Sequence, residues 1–88
     1  MQEVTTKSGF TVAIDERCMD DMELLDDIVD LTAGDYMVYP KIIRRIMSAE
    51  DKKRLYDHIR DPETGRVPTD SFGRELTDIF EGLNAGKK

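Results

Sequence analysis

Residues 3–14 alternate between apolar and polar side chains, which is the period of a strand that buries one face. The positions expected on the buried face are Val4, Thr6, Phe10, Val12 and Ile14. Ser8-Gly9 separates the two runs, and glycine tolerates the positive φ of a tight turn. The pattern therefore predicts a β-hairpin over residues 3–14. Because a lone hairpin is marginal in water, it must lie on the helices or pair with strands of other subunits.

From residue 19 onward the apolar spacing changes to the 3.6-residue period of a helix. In a first helix at about 19–33, one side is expected to hold the apolar residues Leu24, Leu25, Ile28, Val29 and Leu31. The opposite side is expected to hold the acids Asp20, Glu23, Asp26, Asp27 and Asp30. Gly34 then follows as a natural residue to end the helix.

Three further helices are predicted at about 38–47, 49–60 and 70–82. Ser48 is the expected N-cap of the second of these, and Thr69 is the expected N-cap of the last. Residues 84–88 are expected to fray. The predicted fold is α+β and mainly α, with an N-terminal β-hairpin followed by about four helices in one domain of residues 1–88.

The composition narrows the possible functions. The chain has one cysteine, Cys18, and one histidine, His58, so neither an intrachain disulfide nor a zinc site is expected. No cofactor and no metal is predicted. No apolar run approaches the ~20 residues that cross a bilayer, and the N-terminus lacks the apolar core of a signal peptide, so a cytoplasmic protein without membrane contact is expected.

The net charge of −6 is distributed unevenly. Acids crowd residues 15–35, and bases crowd residues 41–60 in two clusters, which are Lys41, Arg44 and Arg45, and Lys52, Lys53 and Arg54. The acids of the first helix form either a solvated face or a protein-docking surface, because carboxylates on one helix face diverge instead of converging on a site. The basic clusters favour charge balancing or partner docking over nucleic-acid binding, given the acidic net charge.

The residues that could carry catalysis lack the required settings. His58 has no nucleophile near it in the sequence, and Ser8 and Ser71 are not in a G-x-S-x-G motif. Cys18 precedes a run of acids, which raise a thiol pKa. We therefore do not expect an enzyme.

A concentration of apolar residues at one helix–helix corner indicates a binding patch instead. The corner holds four such residues in a row, which are Tyr36, Met37, Val38 and Tyr39. We do not expect all four to be buried, and exposed apolar patches mark interfaces. The candidate protein-binding residues are Tyr36, Met37, Tyr39, Asp26 and Asp30.

Six segments, in order and over nearly the whole chain, resemble the small tail assembly chaperones of long-tailed, siphovirus-type bacteriophages and Gram-positive prophages. The segments are VTTKSGFTVAID, DDMELLDDIVDL, YPKIIRRIM, DKKRLYDHIR, GRVPTD and ELTDIFEGL. The resemblance implies a non-enzymatic cytoplasmic protein that binds the tape-measure protein while tail-tube subunits polymerise around it. It supplies no catalytic residues and leaves self-association open.

The alternative is a small acidic regulator, either an antitoxin or an inhibitor that mimics the charge of a nucleic acid. Its supporting feature is the line of carboxylates on the first helix. The neighbouring genes would separate the two hypotheses, since one expects tail genes and the other expects a toxin or a nuclease.

Overall fold

Two strands and four α-helices follow one another along residues 1–85, the part of the chain that the computed structural model describes. The strands are β1 (Gln2–Thr5) and β2 (Thr11–Ile14), and the helices are α1 (Met22–Thr32), α2 (Tyr39–Ile46), α3 (Ala49–Ile59) and α4 (Thr69–Ala85). Two single 3₁₀ turns, Glu16–Met19 and Tyr36–Val38, precede α1 and α2. The predicted α+β, mainly α fold is confirmed.

The β-hairpin has the alternating burial that its sequence predicts. Antiparallel pairing runs from Gln2 opposite Ile14 to Thr5 opposite Thr11. The turn closes with Thr6 N–H donating to the Phe10 carbonyl at 2.8 Å, and Gly9 takes a φ of 93°. Glycine is the residue that such a three-residue loop favours at its left-handed position. All five positions expected on the buried face are buried.

The hairpin packs on α4, so the expectation that it lies on the helices is confirmed. A Cβ atom at Gly82 would lie only 2.6 Å from Cγ1 of Val4, which shows how closely the two elements approach. The Gln2 side-chain amide donates to the Gly82 carbonyl at 2.9 Å. At the turn, the Lys7 backbone N–H donates to the Asp78 carboxylate at 3.0 Å. Both ends of the hairpin are therefore attached to the same helix.

One apolar core lies between the hairpin and the four helices. Besides the hairpin residues, its buried members are Leu24, Val38, Ile42, Ile43, Ile46, Leu55, Phe72, Leu76, Ile79 and Leu83. Apart from Leu24 of α1 and Val38 of the second 3₁₀ turn, these residues belong to α2, α3 and α4. Within residues 1–85, none of the helices combines the length and the apolar composition needed to cross a bilayer.

The predicted orientation of α1 is wrong in part. Leu25 and Val29 were expected in the core but are 49% and 56% exposed. Asp27 was expected on the outer face but is only 7% exposed. The helix faces the core with Leu24, Ile28 and Leu31. In this orientation Asp27 makes an ion pair with Arg45 of α2, with 3.1 Å between Oδ2 and Nε. Leu24 then occupies the centre of the buried face.

Several predicted element ends also move. The first helix begins at Met22 instead of 19, because Asp21 caps it by accepting from Glu23 N–H at 2.9 Å. Ser48 caps α3 as predicted, accepting from Asp51 N–H at 3.1 Å. Thr69 is not the N-cap of α4 but lies inside its first turn, because the Pro68 carbonyl already accepts from Phe72 N–H.

The last helix is longer than predicted. It continues to Ala85, so residues 84 and 85, which were expected to fray, are helical. The remainder of the predicted frayed tail, residues 86–88, lies outside the described residues.

Candidate protein-binding surface

The corner between α1 and α2 is built by two successive capping arrangements. Gly34, with a φ of 98°, ends α1, and its N–H donates to the Leu31 carbonyl at 2.9 Å. Asp35 N–H donates to the Asp30 carbonyl at 3.0 Å, which completes a Schellman motif. The Asp35 carboxylate then accepts from Met37 N–H at 3.1 Å and begins the 3₁₀ turn. The local sequence thus determines a sharp change of direction at this point.

That 3₁₀ turn directs its residues to opposite sides. Val38 is buried, whereas Tyr36 is 65% exposed and Met37 is 83% exposed. An exposed tyrosine beside an exposed methionine is an apolar surface of the kind that marks binding sites. Two of the three predicted apolar binding residues are therefore available to a partner, and their binding role stays a prediction.

Tyr39, the third of them, mainly supports the corner. Its ring is half-buried and packs edge-on against Phe72, with 4.9 Å between ring centroids. A Cβ at Gly73 would lie 2.7 Å from the Tyr39 hydroxyl oxygen, so glycine makes room for the ring. Burial raises the pKa of Tyr39, and Tyr36 and Asp70 raise it further. Tyr39 thus positions Tyr36, whose ring centroid lies 5.9 Å from its own.

Two grooves border this corner. One, of about 300 Å³, is largely apolar and is lined by Tyr36, Met37, Tyr39, Pro40, Tyr56, Val67, Thr69 and Phe72. The other, of about 580 Å³, is more polar and is lined by Tyr36, Tyr39, Thr69, Asp70, Gly73, Arg74 and Thr77. The ring of Tyr36 borders both grooves. The two concave surfaces can each accept a side chain from a partner.

A second exposed apolar surface lies on α1 and was missed by the sequence prediction. Met22, Leu25 and Val29 are spaced i, i+3 and i+7, which places them along one side of the helix, and Met22 is 68% exposed. We call these three residues the outer ridge. Asp26 and Asp30 lie beside it and are exposed. The i, i+3, i+7 spacing that begins at Met22 could have revealed this surface. However, Leu25 and Val29 also fit the spacing of the predicted buried stripe.

The acids of α1 are neutralised on one side only. Arg45 lies 3.1 Å from Asp27, 3.7 Å from Glu23 and 3.8 Å from Asp21, and its hydrogen bond to Asp27 raises the pKa of its guanidinium. Arg45 of α2 thus lies within ion-pair distance of three acids at the start and centre of α1. Neither Asp26 nor Asp30 forms an ion pair with any side chain of residues 1–83.

The second basic cluster is used within the fold. The Arg54 guanidinium donates to the Thr11 carbonyl at 2.7 Å and to Asp51 at 2.9 Å. Lys53 pairs with Asp57 at 2.8 Å, and this contact, with a smaller one from Arg60, lowers the pKa of Asp57. These contacts fit the charge-balancing interpretation of the cluster.

The structure brings together a serine, a histidine and a carboxylate that are far apart in the sequence. Ser8 Oγ lies 2.9 Å from His58 Nε2 and donates to Glu75 at 2.8 Å. In a hydrolase triad the carboxylate bonds the imidazole and the imidazole accepts the serine proton. Here Glu75 accepts from Ser8 itself, and the direction of the Ser8–His58 hydrogen bond depends on the imidazole tautomer, so the order of contacts differs from that of a triad. The arrangement holds the hairpin turn to α3 and α4.

Glu75 itself is buried, at 5% exposure, and was not singled out in the sequence. Its second carboxylate oxygen accepts from the Thr6 hydroxyl at 2.8 Å, so both oxygens are satisfied. Burial, followed by Asp15 and Asp21, raises the pKa of Cys18, as its acidic neighbours led us to expect. Among residues 1–85, no three His, Cys, Asp or Glu side chains converge closely enough to hold a metal ion.

Comparison of the chain with protein-family models, with curated proteins and with solved structures found no match. The resemblance to tail assembly chaperones therefore depends on the sequence segments that carry it. The structure adds two exposed apolar surfaces, the Tyr36–Met37 corner and the outer ridge of α1.

Proposed function

We propose that this protein is a tail assembly chaperone that binds the tape-measure protein of a long-tailed phage in the host cytoplasm, without catalysis. The observation that carries the proposal is the exposed pair Tyr36 and Met37, held between two grooves on a small acidic domain. The family resemblance supplies the identity of the client.

The physical requirements of such a chaperone are apolar contact and charge. Apolar surface covers the exposed stripes of the client, and net charge keeps the complex in solution. The corner meets the first requirement and the net charge of −6 meets the second. One small domain covers little of a long client, so several copies bind along it, and copies that also touch each other gain affinity through their high local concentration.

The alternative, an acidic regulator, is less well supported by the surface. Mimicry of a nucleic acid requires a continuous line of exposed charges. Asp27 is turned inward and paired with Arg45, so only Glu23, Asp26 and Asp30 of α1 remain as exposed acids of the predicted line. We therefore favour the chaperone hypothesis.

Co-expression with the neighbouring tape-measure gene tests the proposal. The tape-measure protein should be insoluble alone and should become soluble and co-purify with this chain. Tyr36→Ser combined with Met37→Ser should reduce the recovered complex about tenfold, because apolar anchors dominate interfaces. Both residues are exposed, so circular dichroism should show an unchanged fold.

Glu63→Ser, at an exposed loop position away from the corner, is the matched control and should leave recovery unchanged. The proposal is wrong if the wild-type chain neither solubilises nor co-purifies with the tape-measure protein. Tight binding to a neighbouring toxin or nuclease would then establish the regulator hypothesis.

A further inference from the structure

The apolar stripe of helix α1 is wider than the side that faces the core. Leu24, Ile28 and Leu31 pack into or against the core, whereas Met22, Leu25 and Val29 form the exposed outer ridge. An amphipathic helix normally buries its apolar stripe against neighbouring elements. In this molecule only the inner side is covered by the described residues.

The charges beside the ridge have a related imbalance. Two pairs of acids on α1 are spaced i, i+4, and each like-charge pair opposes a helix. Arg45 lies between Glu23 and Asp27 and compensates the first pair. The second pair, Asp26 and Asp30, borders the ridge and has no cation within ion-pair distance among the side chains of residues 1–83. A cation supplied by a partner would compensate Asp26 and Asp30 as Arg45 compensates the first pair.

We infer that the outer ridge docks an amphipathic helix of the partner, with an apolar stripe flanked on one side by Lys or Arg. Met22 and Val29 are seven positions apart along the helix, or roughly 10 Å at 1.5 Å per residue, so the ridge contacts about two turns of a packed helix. The apolar stripe covers Met22, Leu25 and Val29, and the basic flank faces Asp26 and Asp30. This inference rests on the proposed function, because it takes the docked helix to be a segment of the client.

Binding of designed peptides tests the charge pattern directly. The first probe is a fluorescein-labelled, alanine-rich peptide of about 18 residues, long enough to form a helix, with a leucine stripe and lysines along one flank. The matched control carries glutamates in place of the lysines. Fluorescence anisotropy with the full chain should show the lysine peptide binding at least about tenfold more tightly. Equal affinities, or no binding of either peptide, would overturn the inference.

Two variants locate the contact. Leu25→Ser with Val29→Ser should weaken the lysine peptide about tenfold while leaving the circular dichroism spectrum unchanged, since both side chains are exposed. Asp26→Lys with Asp30→Lys should reverse the preference, so that the glutamate peptide binds more tightly. This reversal cannot result from unfolding, because an unfolded domain would lose affinity for both peptides. An unchanged preference in the charge-reversal variant would contradict the assignment.

Further measurements separate this inference from the proposed function and from self-association. If Leu25→Ser with Val29→Ser leaves recovery of the tape-measure complex intact, the ridge assignment fails and the chaperone proposal stands. If the peptides bind as expected but the tape-measure protein is not recovered, the chaperone proposal fails and the ridge assignment stands. If sedimentation velocity shows a wild-type oligomer that these substitutions dissociate, the ridge is covered by a second copy and the inference is wrong.

Discussion

At the scale of single residues, the contact between Gly82 and Val4 sets the distance between the hairpin and α4. An alanine in a helix interior is normally more stable than a glycine by about 1 kcal/mol. At Gly82 the added methyl group would lie 2.6 Å from Val4 Cγ1, so the hairpin or the helix must shift. Whether Gly82→Ala stabilises or destabilises the protein therefore depends on one methyl group of Val4.

Gly82→Ala should lower the free energy of unfolding by about 1–3 kcal/mol, which is the usual cost of overpacking a core. In a Val4→Ala background the clash is removed, and the same change should raise the free energy of unfolding by up to about 1 kcal/mol. Urea denaturation of the four proteins measures both effects. If Gly82→Ala destabilises equally in both backgrounds, the close approach described for this pair is incorrect.

At the scale of elements, α1 shows how far periodicity determines an orientation. The apolar pattern predicted the hairpin and the four helices. It did not place Leu25 and Val29 correctly. Two overlapping sets of residues on α1 have helical spacing, and the period does not show which set faces the core. The observed orientation brings Asp27 to Arg45, which is 18 residues away and belongs to another helix. Local spacing contains no information about such a contact.

The candidate site was predictable to a similar extent. The exposure of Tyr36 and Met37 was predictable, because the sequence shows an excess of apolar residues at this corner. The Ser8, His58 and Glu75 cluster joins residues up to 67 positions apart and could be identified only from the fold. The outer ridge was not predicted because Leu25 and Val29 were assigned to the buried side of the first helix.

Neutralising acids of the two pairs on α1 should change the stability of the protein in opposite directions. Asp26→Asn with Asp30→Asn removes an uncompensated repulsion and should stabilise the free protein slightly, by about 0.2–0.5 kcal/mol and by no more than about 1 kcal/mol. Asp27→Asn breaks the ion pair with Arg45 and should lower the melting temperature. Thermal unfolding at low salt measures both. A stabilising Asp27→Asn would show that Arg45 does not compensate α1.

At the scale of the whole molecule, the hairpin and α4 form one unit although they are distant in the sequence. The core residues Phe10, Val12 and Ile14 are supplied by the hairpin, and Leu76 and Ile79 are supplied by α4. Helix α4 contacts β1 more extensively than it contacts α3. We therefore expect them to unfold together.

Phe10→Ala should lower the free energy of unfolding by about 3–5 kcal/mol, as loss of a buried phenylalanine does. Hydrogen exchange should show the amides of α4 losing the same protection as those of the hairpin. Thr5→Ala, at an exposed hairpin position, is the control and should leave α4 unchanged. Retained protection of α4 in the Phe10→Ala protein would mean that the two elements open independently.

The contact between the hairpin and α4 also has a consequence during synthesis on the ribosome. Val4 emerges early, but its partner Gly82 is added nearly eighty residues later. At roughly 5–20 residues per second, the hairpin waits roughly 4–16 s for the helix that covers it. During this interval its strands and apolar face are open to pairing with neighbouring nascent chains. A protein proposed to protect an aggregation-prone client therefore passes through an aggregation-prone state of its own, and the rate of translation should influence its yield.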